Sequence, residues 1–252
     1  MPEQSSVQSV GRAFKIIELL CEKGELGITE LSSLSGLNKT TVFRFLSTLS
    51  ALGYVRKRSA SEKYALTLKF LRLSADMLSK IDIRRYARTF LEQIPKITGE
   101  TAHLVERSGN DIVYIDKFES AANSVRMVSR VGLSLPMVYT AVGKAIMARL
   151  SDGEIRQIWD SSDVEAKTER TITDFNQFMR EIGEVRKNGY AADREENERG
   201  VCCVAAAVPD IYGEYRYAFS VSAPSSRMND ENISKIGALV IETGRKIASL
   251  YE

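Results

Sequence analysis

Apolar residues recur at helical spacing in three short runs near the start of the chain. Val10, Phe14, Ile17 and Leu20 mark a helix over residues 10–21. Ile28, Leu31 and Leu34 mark a second, and Val42, Phe45, Leu46, Leu49 and Leu52 a third over 39–52. Ser35-Gly36-Leu37-Asn38 separates the last two. Gly36 permits the positive φ of a tight turn, Leu37 is placed to plug the core beneath it, and Asn38 is a good N-cap. Gly53 stops the third helix. Residues 54–58 and 63–66 then read as two short strands around Ser59-Ala60-Ser61-Glu62. Residues 27–64 thus have the pattern of a helix-turn-helix followed by a hairpin wing.

The next run leads into a helix that ends near residue 80. Phe70, Leu71, Leu73, Met77 and Leu78 give it an apolar surface too wide for a short domain to cover, which predicts a domain or dimer contact. No Pro/Gly-rich linker follows, so the connection is stiff. Residues 82–98 predict one helix (Ile83, Tyr86, Ala87, Phe90, Leu91, Ile94), with Pro95 kinking or shortening its last turn before Gly99. From Thr101 the period changes to two. Strands are predicted over 101–106 and 112–118, around Ser108-Gly109-Asn110-Asp111, and a third over 124–131. Helices follow over 141–150, after a Ser151/Glu154 capping box, after Thr173 as far as Asn188-Gly189, and from Asn229 to about residue 250. Strands over 190–194, 201–209 and 215–223 complete an α+β layer.

Charge sharpens this picture once the chain is split. The net charge is only +2, but residues 1–80 carry 12 Lys or Arg against 7 Asp or Glu, and residues 81–252 carry 23 against 26. The positive excess accompanies the helix-turn-helix, as a DNA-binding module requires. The third helix has no Asp or Glu from Asn38 to Gly53. The second helix of such a motif enters the major groove with its N-terminal residues at base edges. That assigns base or phosphate contacts to Lys39, Thr40, Thr41, Arg44 and Ser47, and phosphate contacts to Arg56, Lys57, Arg58 and Lys63 of the wing. Arg12 and Lys15 either touch the DNA backbone or are solvated. No apolar run approaches a membrane span, and the first residues have no basic and apolar leader pattern. Three cysteines, two of them adjacent (Cys202, Cys203), fit a reducing cytoplasm.

Chemistry in the second half is sparse. One histidine, His103, rules out multi-His zinc sites. It is either a structural group or a ligand contact. Residues 193–200 form a charged run that, for most of its residues, reads as a solvated loop. The strand around Cys202 and Cys203 carries small side chains that leave room against the sheet. Ser220 and Ser222 alternate, so both hydroxyls point to one face and want partners. Thr140-Ala141-Val142-Gly143 opens a helix with free amides, an anion site. Together these imply a pocket for a small oxygen-rich anion. No P-loop or dinucleotide fingerprint follows a strand, and no nucleophile has a base beside it, so neither catalysis nor a cofactor or metal is expected.

ITELSSLSGLNKTTVFRFLSTLSALGYV, SEKYALT, LPMVYTAVGKAIMA, TERTIT, NGYAADREENERGVCCVAAAVPD and YAFSVSAPSSR, in this order and spacing, resemble the IclR family of bacterial transcription regulators along essentially the whole chain. DREENERGVCCVA and VRMVSRVG look most like the branch that represses sugar-acid breakdown genes. The resemblance implies a winged helix-turn-helix (1–66), a linker helix (67–80) and a GAF-like effector-binding and oligomerisation domain (81–252). It implies a homodimer, or a tetramer on operator DNA, and a small organic acid held by Thr140, Ala141, Gly143, Asp193, Cys203, Ser220 and Ser222. Cys202 stands where relatives often carry another small or polar residue. The expected function is a repressor released by a carboxylic acid. The alternatives are an activator or ligand-requiring DNA binder of the same architecture, and an enzyme using Cys203 or His103. Asp193 beside an anion suits an acid with hydroxyl groups to donate.

Overall fold

The computed structural model describes residues 7–59, 61–120 and 129–250. The chain divides into two compact units between Lys80 and Ile81.

The first unit is α1 (Gln8–Lys23), α2 (Ile28–Ser35), α3 (Lys39–Ala51), an antiparallel hairpin of β1 (Val55–Lys57) and β2 (Tyr64–Leu66), and α4 (Lys69–Leu78). Its core joins Ile16, Leu20, Leu26, Leu31, Val42, Leu46, Leu49, Val55 and Tyr64. Gly36 has φ 73°, and the Asn38 carboxamide accepts the Thr41 N–H at 2.8 Å, so the turn and the cap form as their residue types require. The buried stripes are narrower than the sequence predicts. Val10 and Phe14 are exposed on α1, because its inward line runs through Ile16 and Leu20. Leu34 is exposed on α2; Ser35, one turn after Leu31, faces inward and donates its hydroxyl to the Leu31 carbonyl. Leu52 is exposed because α3 ends before it.

The start of α4 is tied to the hairpin. Thr67 Oγ1 donates to the Gly53 carbonyl and Lys69 Nζ to the Leu52 carbonyl, both at 2.7 Å, and Phe70 packs on Tyr54 with ring centroids 5.1 Å apart. No residue of α4 is buried, and Leu71, Leu73 and Met77 are exposed.

The second unit begins with α5 (Asp82–Leu91) and α6 (Ile94–Thr98). The single helix predicted over 82–98 is two. The chain breaks after Leu91, and Pro95 lies in the first turn of α6, where its missing N–H costs no hydrogen bond. The sheet contains β3 (Thr101–Ser108), β4 (Asp111–Phe118), β5 (Ser134–Pro136), β6 (Ala191–Arg194), β7 (Val201–Val208) and β8 (Tyr217–Pro224). Their order is β5-β4-β3-β8-β7-β6, antiparallel throughout. Of the strand predicted over 124–131, residues 124–128 lie outside the described residues and 129–131 are not strand. The segment that pairs with β4 is β5.

One face of the sheet packs on α7 (Ala141–Met147), α8 (Asp152–Asp160) and α9 (Phe175–Asn188) through Val105, Ile146, Phe178, Ile182, Ala205 and Ala218. The other carries α10 (Asp230–Ala248) beside α5. Ser151 and Glu154 form the predicted capping box. The cap of α9 is Asp174 rather than Thr173, its carboxylate accepting the Gln177 N–H at 2.8 Å. No helix of the described residues is long and apolar enough to cross a membrane.

Candidate functional site

The exposed face of α3 presents Lys39, Thr40, Arg44 and Ser47, with Thr41 half-buried beside its cap. Phe43 shares that exposed side. It was visible in the sequence as the apolar residue off the Val42–Leu46–Leu49 line, and its ring is chemically suited to a thymine methyl. The wing is less purely cationic than its sequence implies. Lys57 Nζ donates to the Glu62 carboxylate, Arg58 Nε pairs with Glu25 at 2.8 Å, and Lys63 Nζ with Glu30 at 3.2 Å. Glu30 also accepts the Gly27 N–H, and that bond, followed by Lys63, holds its carboxyl below the usual range. The hydrogen bond to Glu62 holds the Lys57 ammonium above its usual range. Such exposed pairs are worth little, so a phosphate can displace the carboxylates. Arg56 has no carboxylate partner among the described residues.

In the second unit, strand pairing gathers polar side chains on the α7 face of the sheet. Asp193, Cys203, Ser222 and Thr101 form one row across β6, β7, β8 and β3; Ala205, Ser220, His103 and Lys117 form the next. Where these rows meet the start of α7 there is a cavity of about 140 Å³. His103, Thr140, Ala141, Asp193, Cys203, Ser220 and Ser222, each singled out in the sequence, line it, and so do Tyr114, Ser129, Leu133, Leu135, Asn197 and Glu198. Gly143 is not among its lining residues. Its N–H donates to Thr140 Oγ1 at 3.0 Å, and an added Cβ would lie 2.1 Å from the Met137 carbonyl oxygen. Its role is close packing. The amides of Ala141 and Val142 have no partner within the described chain.

A hydrogen-bonded chain crosses the cavity floor. Cys203 Sγ lies 3.0 Å from Ser222 Oγ, which lies 3.3 Å from His103 Nδ1; His103 Nε2 lies 2.7 Å from Ser129 Oγ. Burial, helped by Lys117, pushes the His103 imidazole down to about 3, so it is neutral at physiological pH. Burial pushes the Cys203 thiol up, away from the thiolate. A neutral imidazole this weakly basic and a protonated thiol make a poor nucleophile–base pair and good hydrogen-bond partners. Tyr114, its phenol held above the usual range by burial, stacks edge-on against His103 at 5.1 Å.

Asp193 is buried, and its Oδ1 accepts the Glu196 N–H at 2.7 Å. Burial and then the Glu196 charge push its carboxyl up to about 7, against the pull of Lys144. Lys144 is completely buried on α7, with Nζ 2.7 Å from Glu196 and 3.5 Å from Glu181. Burial opposes its charge, but the two carboxylates outweigh burial and hold the ammonium above the usual lysine range. Sequence reasoning missed this cluster, because most of the run 193–200 looked like a solvated loop. It also missed Tyr114, whose place depends on a register shift between β3 and β4, where Leu104 and Val105 pair with Asp116 and Tyr114 and skip Ile115. No group of three or more metal-ligating side chains is present among the described residues.

The helix-turn-helix and the second unit each match a known family. "IclR helix-turn-helix domain" matches residues 9–59, and "Bacterial transcriptional regulator IclR C-terminal" matches residues 75–249. The HTH-type transcriptional regulator KdgR of Escherichia coli (strain K12) is 38% identical over 247 residues, covering 98% of this chain and 94% of the relative. KdgR of Dickeya chrysanthemi is 37% identical over 246 residues, covering 98% and 80%. The solved structure of Thermotoga maritima IclR superposes with TM-score 0.80 at 29% identity, over 98% of this chain and 99% of that one. The C-terminal domain of E. coli KdgR superposes with TM-score 0.62 at 31% identity, over 68% and 99%. Sequence and fold agree over both units, and the chain belongs to the IclR family of bacterial transcriptional regulators.

Proposed function

We propose that this regulator is a homodimeric repressor of a sugar-acid or small organic-acid catabolic operon, released when a hydroxylated carboxylic acid occupies the cavity. The observation that carries the reading is the cavity itself: unengaged amides at Ala141 and Val142 beside Ser220 can receive a carboxylate, and Asp193 can accept from a ligand hydroxyl. The repressor sign is supported by likeness to the DNA-binding transcriptional repressor YiaJ and the transcriptional repressor IclR of Escherichia coli (strain K12). In this reading Lys39, Thr40, Thr41, Arg44 and Ser47 contact operator DNA, with Arg56, Lys57, Arg58 and Lys63 on phosphates. His103, Thr140, Ala141, Asp193, Cys203, Ser220 and Ser222 contact the acid. The exposed apolar side of α4 supports dimerisation.

The acid can release DNA only if it binds the DNA-competent and DNA-incompetent arrangements unequally. The test is binding to DNA upstream of the protein's own gene and its neighbours, with and without a panel of sugar acids and keto acids. Release by one acid is expected. Binding that requires an acid would reverse the sign, and absence of binding at low salt would overturn the reading.

A further inference from the structure

The cavity faces a charge problem that its lining does not solve. Asp193 and Glu198 line it, and no lysine or arginine does among the described residues. His103 is neutral there. Lys144 is taken up by Glu196 and Glu181. Arg170 pairs with Glu195 at 3.3 Å, Arg194 with Asp230 at 2.8 Å and Arg199 with Glu169 at 2.9 Å. Lys117, whose charge helps lower the His103 imidazole, pairs with Glu119 at 2.9 Å. An acid entering this space would meet carboxylates, with each of these cations already paired.

Lys167 is not paired in this way. Its Nζ donates to Asn197 Oδ1 at 3.1 Å and lies 4.1 Å over the Tyr139 ring. No salt bridge joins it to a carboxylate among the described residues. Its two partners belong to different walls. Asn197 lines the cavity, and Tyr139 directly precedes Thr140 and Ala141, which also line it. The segment that carries Lys167 is fixed to the opposite loop: Thr168 Oγ1 donates to the Glu195 carbonyl and Thr171 Oγ1 to the Glu196 carbonyl, each at 2.7 Å. The ammonium is thus anchored beside the cavity on a long, flexible stem, and an amide oxygen and a ring face are partners it can exchange for a carboxylate.

We propose that Lys167 is the cation that recognises the carboxylate of the effector and makes the cavity select acids over their neutral analogues. This rests on the effector reading above and adds the residue that sets charge specificity. Partial burial favours loss of the Lys167 proton and the Asp193 charge opposes it, so a second anion in the cavity would hold the ammonium in its charged form.

The test is calorimetric binding to the full-length protein of 2-keto-3-deoxygluconate and D-gluconate, with D-gluconamide as the uncharged counterpart. K167M keeps the stem and removes the charge. It is expected to weaken acid binding about 10- to 100-fold, the factor for a hydrogen bond with a charged partner. It should leave any amide binding unchanged, and K167R should restore most of the loss. DNA affinity without acid should not move. An equal loss for acid and amide, or no loss for either, would overturn the proposal and leave the effector reading standing. Failure of the wild type to bind either acid would overturn both.

Discussion

Asp193 and His103 line the same cavity and act on stability with opposite sign. The Asp193 carboxyl rises from 3.8 to about 7 in the folded state, so its contribution is fully present below pH 3.8 and is lost as pH rises through 7. The His103 imidazole falls from 6.5 to about 3, so its contribution is present above pH 6.5 and is lost as pH falls through 3. Between about pH 4 and 6.5 the two slopes oppose each other, each worth about 1.4 kcal/mol per pH unit at most. Relative to wild type, Asp193→Asn should therefore gain stability as pH rises from 4.5 to 6, and His103→Gln should lose it. Urea unfolding at the two pH values reads both. Differences from wild type that do not change with pH would show that neither group is shifted. At Gly143 the demand is steric. Gly143→Ala places a methyl against the Met137 carbonyl and should cost about 1–3 kcal/mol, as overpacking does, with weaker acid binding only as a consequence. A variant as stable as wild type would mean that the Met137 turn can move aside.

Within elements, what the sequence reveals is what local chemistry decides. Gly36, Asn38 and Ser151 set their turn and caps through their own neighbours, and the third helix, the hairpin and the paired serines follow from period and punctuation. Asp174 outcompetes the adjacent Thr173 because its carboxylate reaches the Gln177 amide. The seven residues singled out in the sequence that line the cavity lie on strands with clear alternation or at a marked helix start. Tyr114, Asn197 and the Lys144–Glu196 pair depend on a register shift or on contacts between residues far apart in sequence, which no periodicity encodes. Lys144→Met leaves the Glu196 and Glu181 carboxylates without their cation and should cost about 3–5 kcal/mol. A much smaller loss in thermal unfolding would mean that water reaches the cluster. On the DNA side, Arg44→Ala should cost about 1–3 kcal/mol of operator affinity and relax base preference. Arg56→Ala should lower the salt slope of binding by about 1, and Arg58→Ala by less, since Glu25 already offsets that charge. Equal slopes for the two would show that the wing pairs open fully on DNA.

At the scale of the whole molecule, the two units divide the work. Asp193→Ala should abolish the response to acid and spare operator binding, while Arg44→Ala should weaken operator binding and spare the response. A variant that loses both functions together would point to misfolding. The exposed Leu71 and Met77 on α4 belong to a polar-flanked helix that buries nothing within its own unit. Changing both to Glu should shift sedimentation towards monomer and weaken operator binding, because two half-sites need two linked recognition helices. An unchanged dimer would move the pairing surface elsewhere.

The strand order β5-β4-β3-β8-β7-β6 places β8 in the middle of the sheet, although it is the last strand made. His103 and Ser222 touch only after almost the entire chain exists. The helix-turn-helix and its wing, in contrast, are complete in the first quarter of the sequence and hold a core of their own. During synthesis, domains fold in order from the N-terminus. On the reading proposed above, each newly made chain can therefore complete the unit that meets DNA well before the cavity for an acid exists. A product truncated after the wing would hold the folded first unit without the cavity.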